Sequence, residues 1–231
     1  MAGGDSSRED QNLSGLVAAT PFSFSGPATT LAKIAALLYA HATVGARERA
    51  SFSIMKNSSL DALPPRDTEG RVLTVIEATQ GTRHKYKYDT SLAAFVLDGV
   101  LPLGLSFPGD VGFIPSTLGA DGDPLDVLVL ADESIPVGAV VPCRLVCAVE
   151  ATQRDAGAKR GMRNDRLIAV AEKSRRYASC HDLPDVPDDV LKDIETFFVV
   201  YNRLKGGEFK LLGRGDARAA VRLFDQGRRR A

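Results

Sequence analysis

The clearest pattern in the chain begins near residue 71. Six short stretches, RVLTVIEA, HKYKYD, AAFVLDGVL, DPLDVLVL, AVVPCRLVCAVEAT and RLIAVAEK, are rich in Val, Ile, Leu and Tyr and are punctuated by Gly, Pro and Asp. β-Branched and aromatic runs bounded by turn residues predict strands. No helical repeat separates them, which disfavours a parallel βαβ sheet. Successive strands with turn-like joints predict a closed antiparallel barrel or a sandwich.

The period then changes. Between Asp185 and Lys205, Val190, Leu191, Ile194, Phe197, Phe198, Tyr201 and Leu204 recur at helical spacing. Pro187 and the acids Asp188 and Asp189 suit the first turn of that helix. Asp216 can cap a short final helix running through Val221, Leu223 and Phe224. The expected architecture is therefore mainly β (α+β), with one long and one short C-terminal helix packed outside the strands.

Upstream the pattern is weaker. Residues 1–28 are rich in Gly, Ser, Ala and Thr without a steady apolar period, which predicts disorder. TTLAKIAALLYAHATV predicts a helix near residues 30–44, capped by Thr29 or Thr30, with Leu31, Ile34, Leu38 and His41 on one stripe. His41 is read as a packed histidine. The chain thus divides into an N-terminal extension, residues 1–70, and a β domain, residues 71–231.

Composition adds limits. Of 231 residues, 44% are hydrophobic, enough for a real core, and 29 Lys+Arg balance 29 Asp+Glu, so overall charge does not argue for nucleic acid. The basic segment RDAGAKRGMRNDR, residues 154–166, is read as a solvated loop, and the strands show no row of aromatics for base stacking. The three cysteines, Cys143, Cys147 and Cys180, form no disulfide framework, and an odd count fits a reducing compartment. Cys143 and Cys147 lie in an apolar strand-like run and are read as buried thiols. No apolar run reaches the ~20 residues that a membrane helix needs. The N-terminal MAGGDSSREDQ has neither the basic nor the apolar part of a signal peptide. The expected location is the cytoplasm, with no membrane partner.

The candidate chemistry lies in ADGDPLDVLVL, residues 120–130. Asp121, Asp123 and Asp126 crowd onto one turn at the mouth of a strand. Like charges this close repel unless water or cations screen them. Clustered oxygen ligands suit a hard divalent ion such as Mg²⁺, while Asp, Gly and Pro also suit an ordinary solvated turn. A helical-hand calcium loop would need a ligand at its fifth position and Gly at its sixth, where Leu125 and Asp126 stand. An aspartyl-phosphate enzyme would place its acid after a hydrophobic strand, whereas here the strand follows the acids.

DGDPLDVLVL resembles the signature of the soluble inorganic pyrophosphatases, the magnesium-dependent β-barrel kind. VIEA around Glu77, KYKYD from Lys85, FPGDVGFIP from Phe107, DRLIAV from Asp165 and FFVVYNRLKGGEFK from Phe197 resemble further family blocks in family order. The resemblance implies an OB-like closed barrel and Mg²⁺-dependent hydrolysis of inorganic diphosphate to two phosphates by metal-activated water. It implies that Asp121 and Asp126 hold metal, with Asp155 and Asp165 as further ligands. It implies that Asp123 takes the proton from the attacking water or orients it. Lys85, Arg166 and Tyr201 match phosphate-binding positions, and Glu77 matches an acid at the site's edge. It also implies a homo-oligomer.

The sequence departs from the family pattern at several of these blocks. Lys87 stands where the family has a carboxylate, Gly99 where a phosphate-gripping arginine belongs, and Phe107 and Val111 where it has tyrosines. Asn164 and Arg166 replace an aspartate and a lysine, Gln153 or Asp155 occupies the other metal-binding aspartate's place, and Asn202 replaces a lysine after Tyr201. Three readings follow: a divergent diphosphatase, a non-catalytic relative that binds a phosphate ligand or serves as a structural subunit, and a hydrolase of another phosphoanhydride.

Overall fold

The computed structural model describes residues 59–231, so the predicted helix near residues 30–44 and His41 lie outside the described residues. The described residues hold nine strands: β1 Val72–Ala78, β2 His84–Asp89, β3 Ala94–Val100, β4 Asp110–Ile114, β5 Leu125–Leu130, β6 Val140–Arg154, β7 Met162–Arg163, β8 Arg166–Ala171 and β9 Glu208–Gly215. Two α-helices follow the sequence pattern, α1 Asp188–Leu204 and α2 Ala217–Arg230. Asp216 caps α2 by accepting from Ala219 N, as its position predicts. At 14 residues α2 is the shorter of the two helices and continues past Phe224 to Arg230.

Strands β1, β4, β5, β8 and β6 pair in that order, and β6 returns to β1, closing a ring. The ring is not wholly antiparallel: β5 pairs with β8 in parallel, Val127 opposite Leu167 and Val129 opposite Ala169. Strands β7 and β9 extend the sheet from the long β6, and β2–β3 form a separate hairpin.

Side chains alternate across the ring wall, which produces two apolar clusters. Val127 and Val129 of β5 face one, with Leu128 and Leu130 facing the other. The first takes residues from all five ring strands and from no other strand, so it is the ring's interior. Ala220 and Phe224 of α2 complete that inner cluster, and Phe224 has no exposed surface. The final helix thus packs against the strands as expected, and its Phe224 reaches into the ring's interior. Helix α1 does lie outside, where Leu191, Ile194, Phe197 and Phe198 cover the outer faces of β5, β6 and β8.

The chain ahead of β1 also supports the site. Ser116 donates its N–H to Asp61 O at 2.9 Å and its hydroxyl to Leu63 O at 2.9 Å. Arg66 stacks over the Phe224 ring, 4.5 Å from its centroid. All three cysteines are buried and unpaired, and burial pushes the Cys143 and Cys147 thiols up to about 12.

Candidate active site

The acidic turn is built around two glycines. Gly119 donates to Asp123 O at 2.7 Å, and a Cβ on it would fall 2.7 Å from an Asp121 oxygen. Gly122 has φ +91°, a left-handed conformation that suits only glycine well. Asp123 N donates to Asp121 Oδ1 at 3.2 Å, and Thr117 Oγ1 accepts from Leu125 N at 3.0 Å. From below, Leu118 N donates to Gly227 O of α2 at 3.1 Å. The turn's shape thus depends on backbone groups, the Thr117 hydroxyl, one Asp121 oxygen and a distant helix, with no side-chain bond inside the turn from Asp123 or Asp126.

Asp121, Asp123 and Asp126 all line a cleft of about 350 Å³, together with Glu77, Lys85, Lys87, Asp155, Asn164 and Arg166. Burial, with Asp126 and Asp123 nearby, raises the Asp121 carboxyl above its ordinary range despite the bond from Asp123 N. Glu77 reaches the cleft through a β-bulge. Ile76 pairs with Gly112 and Ala78 with Val111, leaving Glu77 as the extra residue. Burial pushes Glu77 up to about 7, with Asp126 adding to the rise and the Tyr88 N–H opposing it.

Two cations sit directly on the acids. Arg166 Nη1 lies 2.5 Å from Asp126 Oδ2, and Lys87 Nζ lies 3.3 Å from Asp123 Oδ1. Arg166 also donates to Asn164 Oδ1 and to Gln153 Oε1, the latter at 3.1 Å. Lys85 Nζ pairs with Asp98 at 2.9 Å. Burial works against its charge, but Asp98 outweighs it and leaves Lys85 above the ordinary lysine value.

Not every residue implicated by sequence reaches the cleft. Asp165 lines an adjoining cavity of about 330 Å³, which shares Asp121, Asp126 and Asn164 with the cleft. There it accepts from Ala151 N at 3.0 Å and pairs with Arg163 Nε at 2.6 Å. Tyr201 stacks on Phe197, with Lys205 Nζ 5.1 Å from its centroid, and does not line the cleft. In turn, Ala158, Arg160 and Met162 line it, from the segment read as a solvated loop. The antiparallel contact of β7 with β6, Gln153 opposite Met162, folds that segment over the site. Its Gly-rich, basic composition hid this.

Comparison with known proteins agrees with the geometry. A family model described as inorganic pyrophosphatase matches residues 74–231. The inorganic pyrophosphatase of Thermus thermophilus is 39% identical over 168 residues, covering 71% of this chain and 93% of that protein. That of a Nostoc species is 35% identical over 167 residues, 72% of this chain and 95% of that protein. The Thermus crystal structure matches with a TM-score of 0.68 at 37% identity, over 75% of this chain and 98% of that one. The Helicobacter pylori inorganic pyrophosphatase matches with a TM-score of 0.66 at 27% identity, over 73% and 97%. Because the matched region takes in all of the strand ring but the first two residues of β1, with the acidic turn and both helices, the chain belongs to the inorganic pyrophosphatase family.

Proposed function

We propose that this chain hydrolyses inorganic diphosphate to two phosphates in the cleft beside the acidic turn. One observation carries the reading: Asp121, Asp123 and Asp126 line the same cleft as Lys85 and Arg166. Diphosphate needs cationic donors for its oxygens and a means of making water nucleophilic, and the cleft offers residues for both.

The donor set fits Mg²⁺. Among the described residues no three His, Cys, Asp or Glu side chains converge as a ready-made metal cage. Mg²⁺ does not require one, since it is usually held by one or two carboxylates with water and phosphate oxygens completing its shell. Asp121 and Asp126 would hold it, with Asp155 at the rim. When bound, the ion lowers the pKa of a water and neutralises phosphate oxygens. Asp123 accepts the proton of the attacking water or orients it. Lys85 and Arg166 hold phosphate oxygens, Arg166 through its planar fork. Asp165, in the adjoining cavity, and Tyr201, on α1, stand outside the cleft's lining.

The test is phosphate release from diphosphate with Mg²⁺, beside Asp123→Asn. Loss of a general base of this kind should lower release by ~10²-fold or more. A purified wild-type chain that releases no more than the variant would refute the hydrolytic reading. The ion pairs on Asp123 and Asp126 favour a second reading, a phosphate-binding cleft without turnover. Thermal stabilisation by Mg²⁺ and diphosphate without release would support it. Phe107 and Val111 give the cleft a less polar wall, so release from a nucleotide but not from diphosphate would mark a different phosphoanhydride.

Two wider features belong to the same proposal. Leu92, Val96, Leu97, Val100 and Leu103 are exposed on or beside the β2–β3 hairpin, which fits burial between copies in a homo-oligomer. Sedimentation velocity tests this. The unpaired cysteines fit a cytoplasmic setting. No helix among the described residues is long and apolar enough to cross a membrane.

A further inference from the structure

We infer that Arg166 and Lys87 are resident counter-ions of this cleft, which must leave Asp126 and Asp123 before Asp126 can take a divalent cation and Asp123 can serve the attacking water, and which an incoming phosphate ligand draws away. The inference rests on the phosphate-cleft reading above and concerns the order and coupling of binding, not the chemistry.

Arg166 is fixed rather than adventitious. Its side chain is only 9% exposed, and it meets Asp126 at 2.5 Å. Gln153 Oε1 accepts from Nη2 at 3.1 Å, and Asn164 Oδ1 accepts from Nη1. The rings of Phe198 and Phe209 lie 5.0 and 5.7 Å from the guanidinium carbon. Gln153, Asn164 and the Asp165 carbonyl hold the guanidinium without adding negative charge, so Asp126 is the one carboxylate it pairs with among the described residues. Lys87 is different. It is 59% exposed and reaches Asp123 at 3.3 Å from a flexible stem.

The electrostatic consequence is direct. Three ionised carboxylates on the turn attract a divalent ion strongly. Arg166 and Lys87 cancel two of those three charges. An ion approaching Asp126 also meets the guanidinium at hydrogen-bond range of the same carboxylate. A phosphate ligand reverses this. Guanidinium and ammonium both bind phosphate oxygens, and the guanidinium does so with two parallel donors. Each cation that turns to phosphate frees a carboxylate. Anion and cation therefore help each other to bind, and the coupling is the same in either direction.

The experiment is calorimetric titration of Mg²⁺ into the full chain, with and without saturating inorganic phosphate, for wild type, Arg166→Gln and Lys87→Ala. Mg²⁺ should bind wild type at least about fivefold more tightly with phosphate present, the lower end of ordinary coupling between sites. Arg166→Gln should bind Mg²⁺ alone at least about fivefold more tightly than wild type, and its gain on adding phosphate should shrink accordingly. Lys87→Ala should tighten binding of Mg²⁺ alone by about twofold, the scale of an exposed pair. Direct metal–phosphate contact would couple the two ligands in every variant, so tighter binding of Mg²⁺ alone is the deciding result. Variants that bind it no more tightly than wild type would overturn the inference. If circular dichroism shows Arg166→Gln unfolded, Lys87→Ala decides by itself. No arm reads turnover, so a chain without hydrolytic activity would refute the proposed reaction and leave this result intact.

Discussion

Glu77 owes its position to a single extra residue in a strand. Ile76 faces the ring interior and Ala78 the outer cluster, although residues two apart in a regular strand share a face. The bulge between them aims Glu77 into the cleft. There its pKa of about 7 lies above the ordinary 4.5, so the folded state keeps a proton that the unfolded state has lost between those values. The stability tied to that proton is complete below about pH 4.5 and is lost as pH rises through about 7. In Glu77→Gln no such loss occurs. Urea unfolding in chelator should show the variant gaining on wild type between about pH 5 and about pH 8, by on the order of 2 kcal/mol. A difference that does not change with pH would show that Glu77 ionises normally. At this scale the sequence was readable where spacing alone sets geometry, as for Asp121, Asp123 and Asp126. It was not readable where one residue decides a face. Asn164 and Arg166 line the cleft, and Asp165 between them lines the adjoining cavity, where it pairs with Arg163 and accepts the Ala151 N–H.

The elements themselves were largely legible. The strand runs became strands, and the apolar stripe from Val190 to Leu204 became α1. Their pairing was less so. Neighbouring strands joined by turns suggest antiparallel order, yet β5 and β8 run parallel, with β6 and β7 between them in sequence. Nothing local in either strand records that. Helix α2 was visible as an amphipathic stripe, but not the fact that Phe224 fills the ring. The tightest joint between elements lies at β1 and β4. A Cβ on Gly112 would stand 2.1 Å from the Val75 carbonyl oxygen, a backbone atom that cannot swing aside. Gly112→Ala should therefore force the two strands apart next to the bulge that carries Glu77. We expect a loss of about 3 kcal/mol or more in chemical denaturation. An unchanged midpoint would mean that the strands can separate there without cost.

For the molecule as a whole, the closed ring and the β2–β3 hairpin should differ in stability. Ring strands β5 and β8 are buried along most or all of their length. The hairpin has no fully buried residue and pairs with no ring strand. Hydrogen exchange should find amides of β5, β6 and β8 opening only near the global unfolding free energy, with the hairpin exchanging well before them. Equal protection would mean that the hairpin is held by contacts of comparable strength. Lys85 and Lys87 are both on β2, as is the Tyr88 N–H that Glu77 accepts, so such openings would move two of the cleft's cations and release Glu77 and Asp123 from partners on the hairpin, while Arg166 stays on β8. Overall charge, balanced at 29 against 29, gave no warning of this uneven placing of the cations.

The seating of Phe224 has a further consequence during synthesis. All five strands of the ring precede α2 in the chain, so a ribosome makes the wall before it makes the plug. Until α2 emerges, a collapsed nascent chain has an open mouth lined with Val and Leu side chains, and the acidic turn lacks the Gly227 carbonyl beneath it. That interval is when a chaperone has apolar surface to grip. It is also when two incomplete chains on one message could join through their unfilled rings.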